Sequence, residues 1–292
     1  MQFRHIQTKL VPDQPVLTVP GLCLHSNDVE FKSIHERVPS KIGYEYLMAP
    51  RELRPDDLDN PNVKHYFFTR TQIEKALPQI AKAFDRTFAI RNTLNLKLHG
   101  TGFICGDGLM LTCSHVAQSL IKEVNGFGLF GVDESIFFPS GEIIALAESE
   151  LQFLVLHPAQ PDLSPVYVAA LCGKSFIPLA DKLPSVGQRV YLIGNPQILG
   201  EQVISIGTVN EVCLQENDNT AFIETDNEAY HCCSGGPLLD DDGNCLGILS
   251  QSRGLDLSGF TIDSTFVPSV IAVDLIKDPG KYFDPDIELD QE

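Results

Sequence analysis

Between residues 85 and 268 the chain is divided into short runs of apolar, β-branched and aromatic residues, each closed by Gly, Asn, Asp or Pro. A run of four to six such residues between turn formers is too short for a packed helix and reads as a strand. Candidate strands fall at 87–90, 102–105, 109–112, 128–130, 142–146 and 151–156. After a connection carrying Pro158, Pro161 and Pro165 come 189–193, 201–209, 221–225, 246–249 and 264–267. Many short strands with few helices among them restrict the fold to an all-β sandwich or barrels.

Residues 1–84 differ in texture. Prolines at 12, 15, 20, 39, 50, 55 and 61 point to an irregular arm with one short strand at 16–19. Thr71-Gln72-Ile73-Glu74 has the form of a capping box, and Ile73, Leu77, Ile80 and Phe84 follow at helical spacing. This predicts a helix over 71–84, bent or shifted by Pro78 and packed on the main domain. A second helix closes the domain at 270–276, and residues 279–292 form an acidic tail.

Net charge of −18 argues against nucleic acid or an anionic membrane as partner, since both require a positive surface. No run of eighteen apolar residues offers a membrane span, and Met1-Gln2-Phe3-Arg4-His5 lacks the layout of a secretory signal. Eight cysteines without an export signal are expected as thiols in a reducing, cytoplasmic setting. No Cys or His spacing suits a zinc site, and His231 beside Cys232 faces the other way on an extended chain, so no metal or cofactor is expected.

Chemistry concentrates in two stretches. His231-Cys232-Cys233-Ser234-Gly235-Gly236-Pro237 sets a serine at a turn where two glycines let backbone and substrate approach closely. Gly100-Thr101-Gly102-Phe103 opens a hairpin that turns at Gly106-Asp107-Gly108 and ends in Leu111-Thr112-Cys113-Ser114-His115-Val116. There His115 stands where a short helix begins, and a neutral imidazole can take a proton at neutral pH.

Taken together, these stretches resemble the trypsin-like serine proteases, most closely the HtrA/Deg branch. Ile193-Gly194-Asn195-Pro196, Ile223-Glu224-Thr225-Asp226, Gly243-Asn244-Cys245-Leu246-Gly247 and Phe266-Val267-Pro268 extend the likeness in order through 100–276. No PDZ module of the kind common in that branch is expected.

The resemblance implies two packed six-stranded antiparallel barrels, at 85–165 and 180–278, after an N-terminal extension. Ser234 would be the nucleophile and His115 the general base. The third member heads a strand of the type DLALLKV, and aligning Leu151 to Leu156 with it puts Glu150 there. A shift of two would put Gln152 in that place. The oxyanion hole would come from the backbone N–H groups of Cys232 and Ser234. Cys232 replaces the family's glycine, so either it is strained or the loop rests collapsed until something binds. Ser250, Gln251 and Ser252 would wall the primary pocket, with Glu228 at its floor and His231 near its rim. A polypeptide is the expected substrate, and residues 1–84 could also receive a regulatory partner. Two rivals are a pseudoprotease that keeps only the fold, and a thiol enzyme using Cys233.

Overall fold

The computed structural model describes residues 15–19, 22–25, 48–124, 127–130, 134–146, 151–153, 161–197, 199–214, 221–255 and 261–278. The expected strand at 16–19 lies within Pro15–Val19, paired with Leu22–His25. The acidic tail at 279–292 lies outside the described residues.

Strands of the main body are β1 (Phe67–Phe68), β2 (Thr87–Asn92), β3 (Leu98–Gly106), β4 (Leu109–Thr112), β5 (Glu134–Phe137), β6 (Ile143–Ala145), β7 (Leu151–Phe153) and β8 (Ser164–Val168). The second half supplies β9 (Arg189–Gly194), β10 (Val203–Leu214), β11 (Ala221–Thr225), β12 (Pro237–Leu239), β13 (Cys245–Leu255) and β14 (Thr261–Pro268). Two further strands, Ile121–Val124 and Phe127–Phe130, pair as a separate ribbon.

The second half meets the expectation of a closed barrel. Its strands run β9-β12-β13-β14-β11-β10, and β10 returns to pair with β9. The first half curls without closing among the described residues, in the order β6-β5-β2-β3-β4-β8-β7.

The extension is built into this body. β1 adds to the second barrel with Phe68 opposite Ile204 and Phe67 opposite Ser205. Tyr66, Phe68, Ile73, Leu77, Ile80 and Phe84 share one core with Phe88, Phe103, Ile193 and Leu239. Each such side chain contributes about 1.5–3 kcal/mol on burial, so residues 66–84 hold the two sheets together.

The helix expected over 71–84 is two helices, α1 (Arg70–Ile73) and α2 (Pro78–Phe84). Pro78 cannot continue a helix entered from Leu77, but it is suited to the first position of a new one. The cap also sits two residues earlier than expected, with the Thr69 N–H donating to Gln72 Oε1 at 2.9 Å. α3 (Ser114–Gln118) is the short helix expected at His115, and α4 (Ser269–Lys277) is the closing one.

β8 is a strand that the sequence pattern hides, because Pro165 sits inside it. Proline lacks a donor and is tolerated only where no partner needs one. Here the pairing of β8 with β7 begins at Val166, so Pro165 has a ladder on the β4 side alone. That strand decides the site. β8 runs antiparallel to β4 with Ser164 opposite Thr112, so the residues just before Ser164 face those just after Thr112.

Candidate active site

Asp162 stands two residues before Ser164, and His115 three after Thr112. The register therefore brings them together. His115 Nδ1 lies 2.8 Å from Asp162 Oδ2, and the His115 backbone N–H donates to Oδ1 at 3.1 Å. Ser250 Oγ donates to the same Oδ2 at 2.7 Å. Burial opposes charge on Asp162, but the donors from His115 and Ser250 outweigh it and hold the carboxyl below the usual aspartate range. With Nδ1–H committed to Asp162, a neutral His115 presents Nε2 as the acceptor. The ring is half exposed and can meet a substrate.

The carboxylate on His115 is thus Asp162, where the sequence pattern pointed to Glu150. Glu150 itself lies outside the described residues. Leu151, next to it, pairs with Val168 at the far end of β8 from Asp162, on an edge strand one place removed from β4. Gln152 pairs with Tyr167 on that same edge strand.

Ser234 is carried to this place by contacts across the seam between the sheets. Thr101 N–H donates to Ser234 O at 2.8 Å, and Gly235 N–H to Leu249 O at 2.8 Å, one residue before Ser250. A Cβ added at Gly100 would stand 2.6 Å from Val116 Cγ2 and 3.0 Å from Ser234 O, so that glycine separates the helix of His115 from the serine turn. Gly235, at φ 88°, lies under Thr101 O and Thr112 Oγ1, where no side chain would fit. This is the close approach the two glycines were expected to allow.

Thr101 is the residue that sequence reasoning missed. Its hydroxyl donates to Cys232 O at 2.9 Å and accepts from Asn195 N at 3.0 Å and Asn195 Nδ2 at 3.2 Å. One side chain on β3 therefore ties the Ile193-Gly194-Asn195-Pro196 turn to the serine loop.

Cys232 has a φ of 76°, the left-handed region that costs a residue with a Cβ about 1–2 kcal/mol. The neighbouring peptides are held on both sides. Gln197 N–H donates to His231 O at 3.1 Å, and Gly236 N–H to Cys233 O at 2.9 Å. In a trans peptide the N–H points opposite to the C=O, so Cys232 N–H and Ser234 N–H are turned away from those donors. Neither has an acceptor among the described residues.

Cys233 is buried in the second barrel with Val190, Leu192 and Leu238, its sulfur toward Gly194. Burial pushes its thiol up to about 12, which leaves no useful thiolate near neutral pH. The rival reading with Cys233 as nucleophile finds no support there.

The remaining candidates divide. Ser250, expected as a pocket wall, donates its hydroxyl to Asp162. Gln251 and His231 are exposed, and the backbone of Ser252 pairs with Ser264 in β13–β14. Glu228 is buried, with Oε1 3.8 Å from Nδ1 of His65 in the extension. Asp226 holds its loop, accepting from Thr208 N at 2.6 Å and pairing with Lys64 at 3.0 Å.

Ligand atoms of Cys113, His115 and Asp162 lie within 4.8 Å of one another. Cys113 Sγ, however, donates to Leu249 O at 2.7 Å, and burial pushes its thiol far above the ordinary value. A cation there would need that thiol deprotonated and Asp162 stripped of its donors, so the set does not fit a metal.

Residues 100–248, half of the chain, match the family model described as trypsin-like peptidase domain. The serine endoprotease DegS of Salmonella typhimurium and that of Escherichia coli strain K12 are each 26% identical over 188 residues, 62% of this chain and 48% of theirs. The chain thus spans about half the length of the curated relatives it matches. Among solved structures, a mutant of Rv3671c from M. tuberculosis in an inactive form aligns with a TM-score of 0.53 at 18% identity, covering 73% of this chain and 95% of that one. The HtrA-type protease AlgW with a decapeptide aligns at 0.53 and 19% identity, covering 70% and 67%. The serine endoprotease from Yersinia pestis aligns at 0.52 and 23%, covering 69% and 65%. At these identities the structural matches speak to the fold.

Proposed function

Because the chain belongs to the trypsin-like peptidase domain family, we propose that it is an HtrA-like serine endopeptidase acting on polypeptides through an acyl-enzyme. The observation that carries this reading is the Asp162 carboxylate on His115 Nδ1, with the Ser234 turn docked between the strands of Thr101 and Ser250. Ser234 Oγ attacks the scissile carbonyl carbon as its proton passes to His115 Nε2. Asp162 holds the tautomer that makes Nε2 the base, then faces the imidazolium that forms. Negative charge gathers on the carbonyl oxygen, where the N–H groups of Cys232 and Ser234 receive it. The imidazolium returns its proton to the leaving amine as the C–N bond breaks. Water then repeats the sequence on the ester, releasing the acid and restoring Ser234.

In this reading the resting loop is ready for substrate, and Cys232 carries strain in place of a collapsed loop awaiting a trigger. The support is that Thr101, Gln197 and Gly236 already hold the carbonyls of residues 232, 231 and 233. The segment 66–84 is occupied in the core, so it acts here as packing.

A fluorophosphonate probe tests the proposal. Wild type should label covalently without any added activator, and Ser234→Ala should not. No labelling of the wild-type chain under any condition would leave the pseudoprotease reading in place.

A further inference from the structure

We infer that Arg91 and Lys97 form a carboxylate-binding subsite beside Cys232, so that this protein selects polypeptides with an acidic side chain near the scissile bond. The inference rests on the proposed hydrolase reading for the word scissile, while the binding it predicts does not.

Strand register places both cations. Arg91 pairs with Leu98 across β2 and β3, and Lys97 precedes Leu98 in the chain. Leu98 O receives Cys232 Sγ at 3.4 Å, and Ala89, Leu98, Cys232 and Phe137 pack as one small apolar cluster. The Arg91 guanidinium lies over Phe137, with Cζ 5.8 Å from the ring centroid. Both cations therefore stand on the strand ends that pack against Cys232.

Neither is neutralised by a carboxylate among the described residues. In a chain of net charge −18, these two side chains have no carboxylate partner among the described residues. Arg91 Nε is buried without an acceptor. The neighbouring buried carboxylate, Glu134, accepts from Asn92 Nδ2 at 2.9 Å through one oxygen, and its other oxygen stands 3.0 Å from His99 Nε2. The loop carrying Lys97 is shaped by Asn92 Oδ1, which accepts from Leu94 N and Asn95 N, each at 3.1 Å.

The positive potential is felt at Cys232 itself. Burial raises its thiol to about 11, and the charges of Arg91 and Lys97 oppose that rise. An anionic side chain of a peptide bound beside Cys232 would meet there two cations that no carboxylate among the described residues pairs. At physiological salt the screening length is about 8 Å, so the distant acidic surface weakens this attraction little.

The test uses quenched-fluorescent peptides identical except for Glu or Gln at one position, moved through three places on each side of the scissile bond. Wild type should cleave the Glu peptide about tenfold faster, in kcat/KM, at one or two adjacent places on one side only. The Glu/Gln ratio should fall to about one in the Arg91→Gln/Lys97→Gln double variant and below one in Lys97→Glu, an exposed position. The same ratios are read as binding by fluorescence anisotropy with Ser234→Ala. Fluorophosphonate labelling of wild type separates the two failures. Labelling with equal Glu and Gln ratios overturns the subsite and leaves the hydrolase. Without labelling the hydrolase falls, and the anisotropy ratio alone decides the subsite. An unchanged Glu preference in both charge variants would also overturn it.

Discussion

Replacing Asp162 with asparagine removes one charge and almost no volume, which makes it the sharpest test of the proposed mechanism. The Asp162 carboxylate accepts three hydrogen bonds, from His115 N and Nδ1 and from Ser250 Oγ. An amide offers only one oxygen for those donors. With its oxygen toward the His115 backbone N–H, the NH2 group faces Nδ1 and must donate to it. The imidazole then carries its proton on Nε2, a donor where the proposed reaction needs an acceptor. With the amide flipped, NH2 faces the backbone N–H at 3.1 Å, a donor–donor contact costing about 1–3 kcal/mol. The first arrangement wins, and kcat should fall about 10⁴-fold, or about 5.5 kcal/mol of barrier, with little change in KM. Steady-state cleavage of a quenched peptide measures it, with the melting temperature recorded to show that the variant is folded. Glu150→Gln is the partner measurement, expected within about threefold of wild type. A near-normal rate for Asp162→Asn, or a collapse for Glu150→Gln, would refute the assignment.

Thr101→Val keeps shape but strips Cys232 O of its donor and Asn195 N and Nδ2 of their acceptor. It should destabilise by about 2–4 kcal/mol in urea titration and slow fluorophosphonate labelling at least tenfold, while Thr101→Ser restores both. Cys232→Gly relieves a left-handed backbone by about 1–2 kcal/mol and gives up a comparable amount of packing and chain stiffness. Stability should therefore move by less than about 1 kcal/mol and kcat by less than about threefold; a large loss of activity would mean that the side chain itself serves the reaction. The lowered carboxyl of Asp162 contributes stability that is fully present above the ordinary aspartate value of about 3.9 and is lost as pH falls through its own lower value. Urea melts of wild type and Asp162→Asn should thus differ most near neutrality and converge once the pH falls below the lowered value of Asp162.

The local chemistry of the chain is legible in the order of its residues. Strand-length apolar runs between turn formers define an all-β body, and His115 and Ser234 announce themselves through short motifs whose residues are neighbours in the chain. Asp162 shares no such signal. The run from Leu151 to Leu156 looks like the better strand, and Pro165 disguises the one that matters, because a pattern cannot say on which side a strand lacks a partner. The exception that Cys232 makes to a glycine position is legible too. The hydroxyl that accommodates it stands 131 positions away on another sheet.

The alternation of residues along the chain thus determined which segments become strands and which side chains carry reactive groups. Their meeting was decided by the order of strands, since pairing β8 with β4 sets Asp162 against His115 and leaves the neighbourhood of Glu150 on the outer edge. Side-chain identity is a local property that a sequence writes directly, whereas adjacency across a sheet follows from the lowest free energy of the whole packed body.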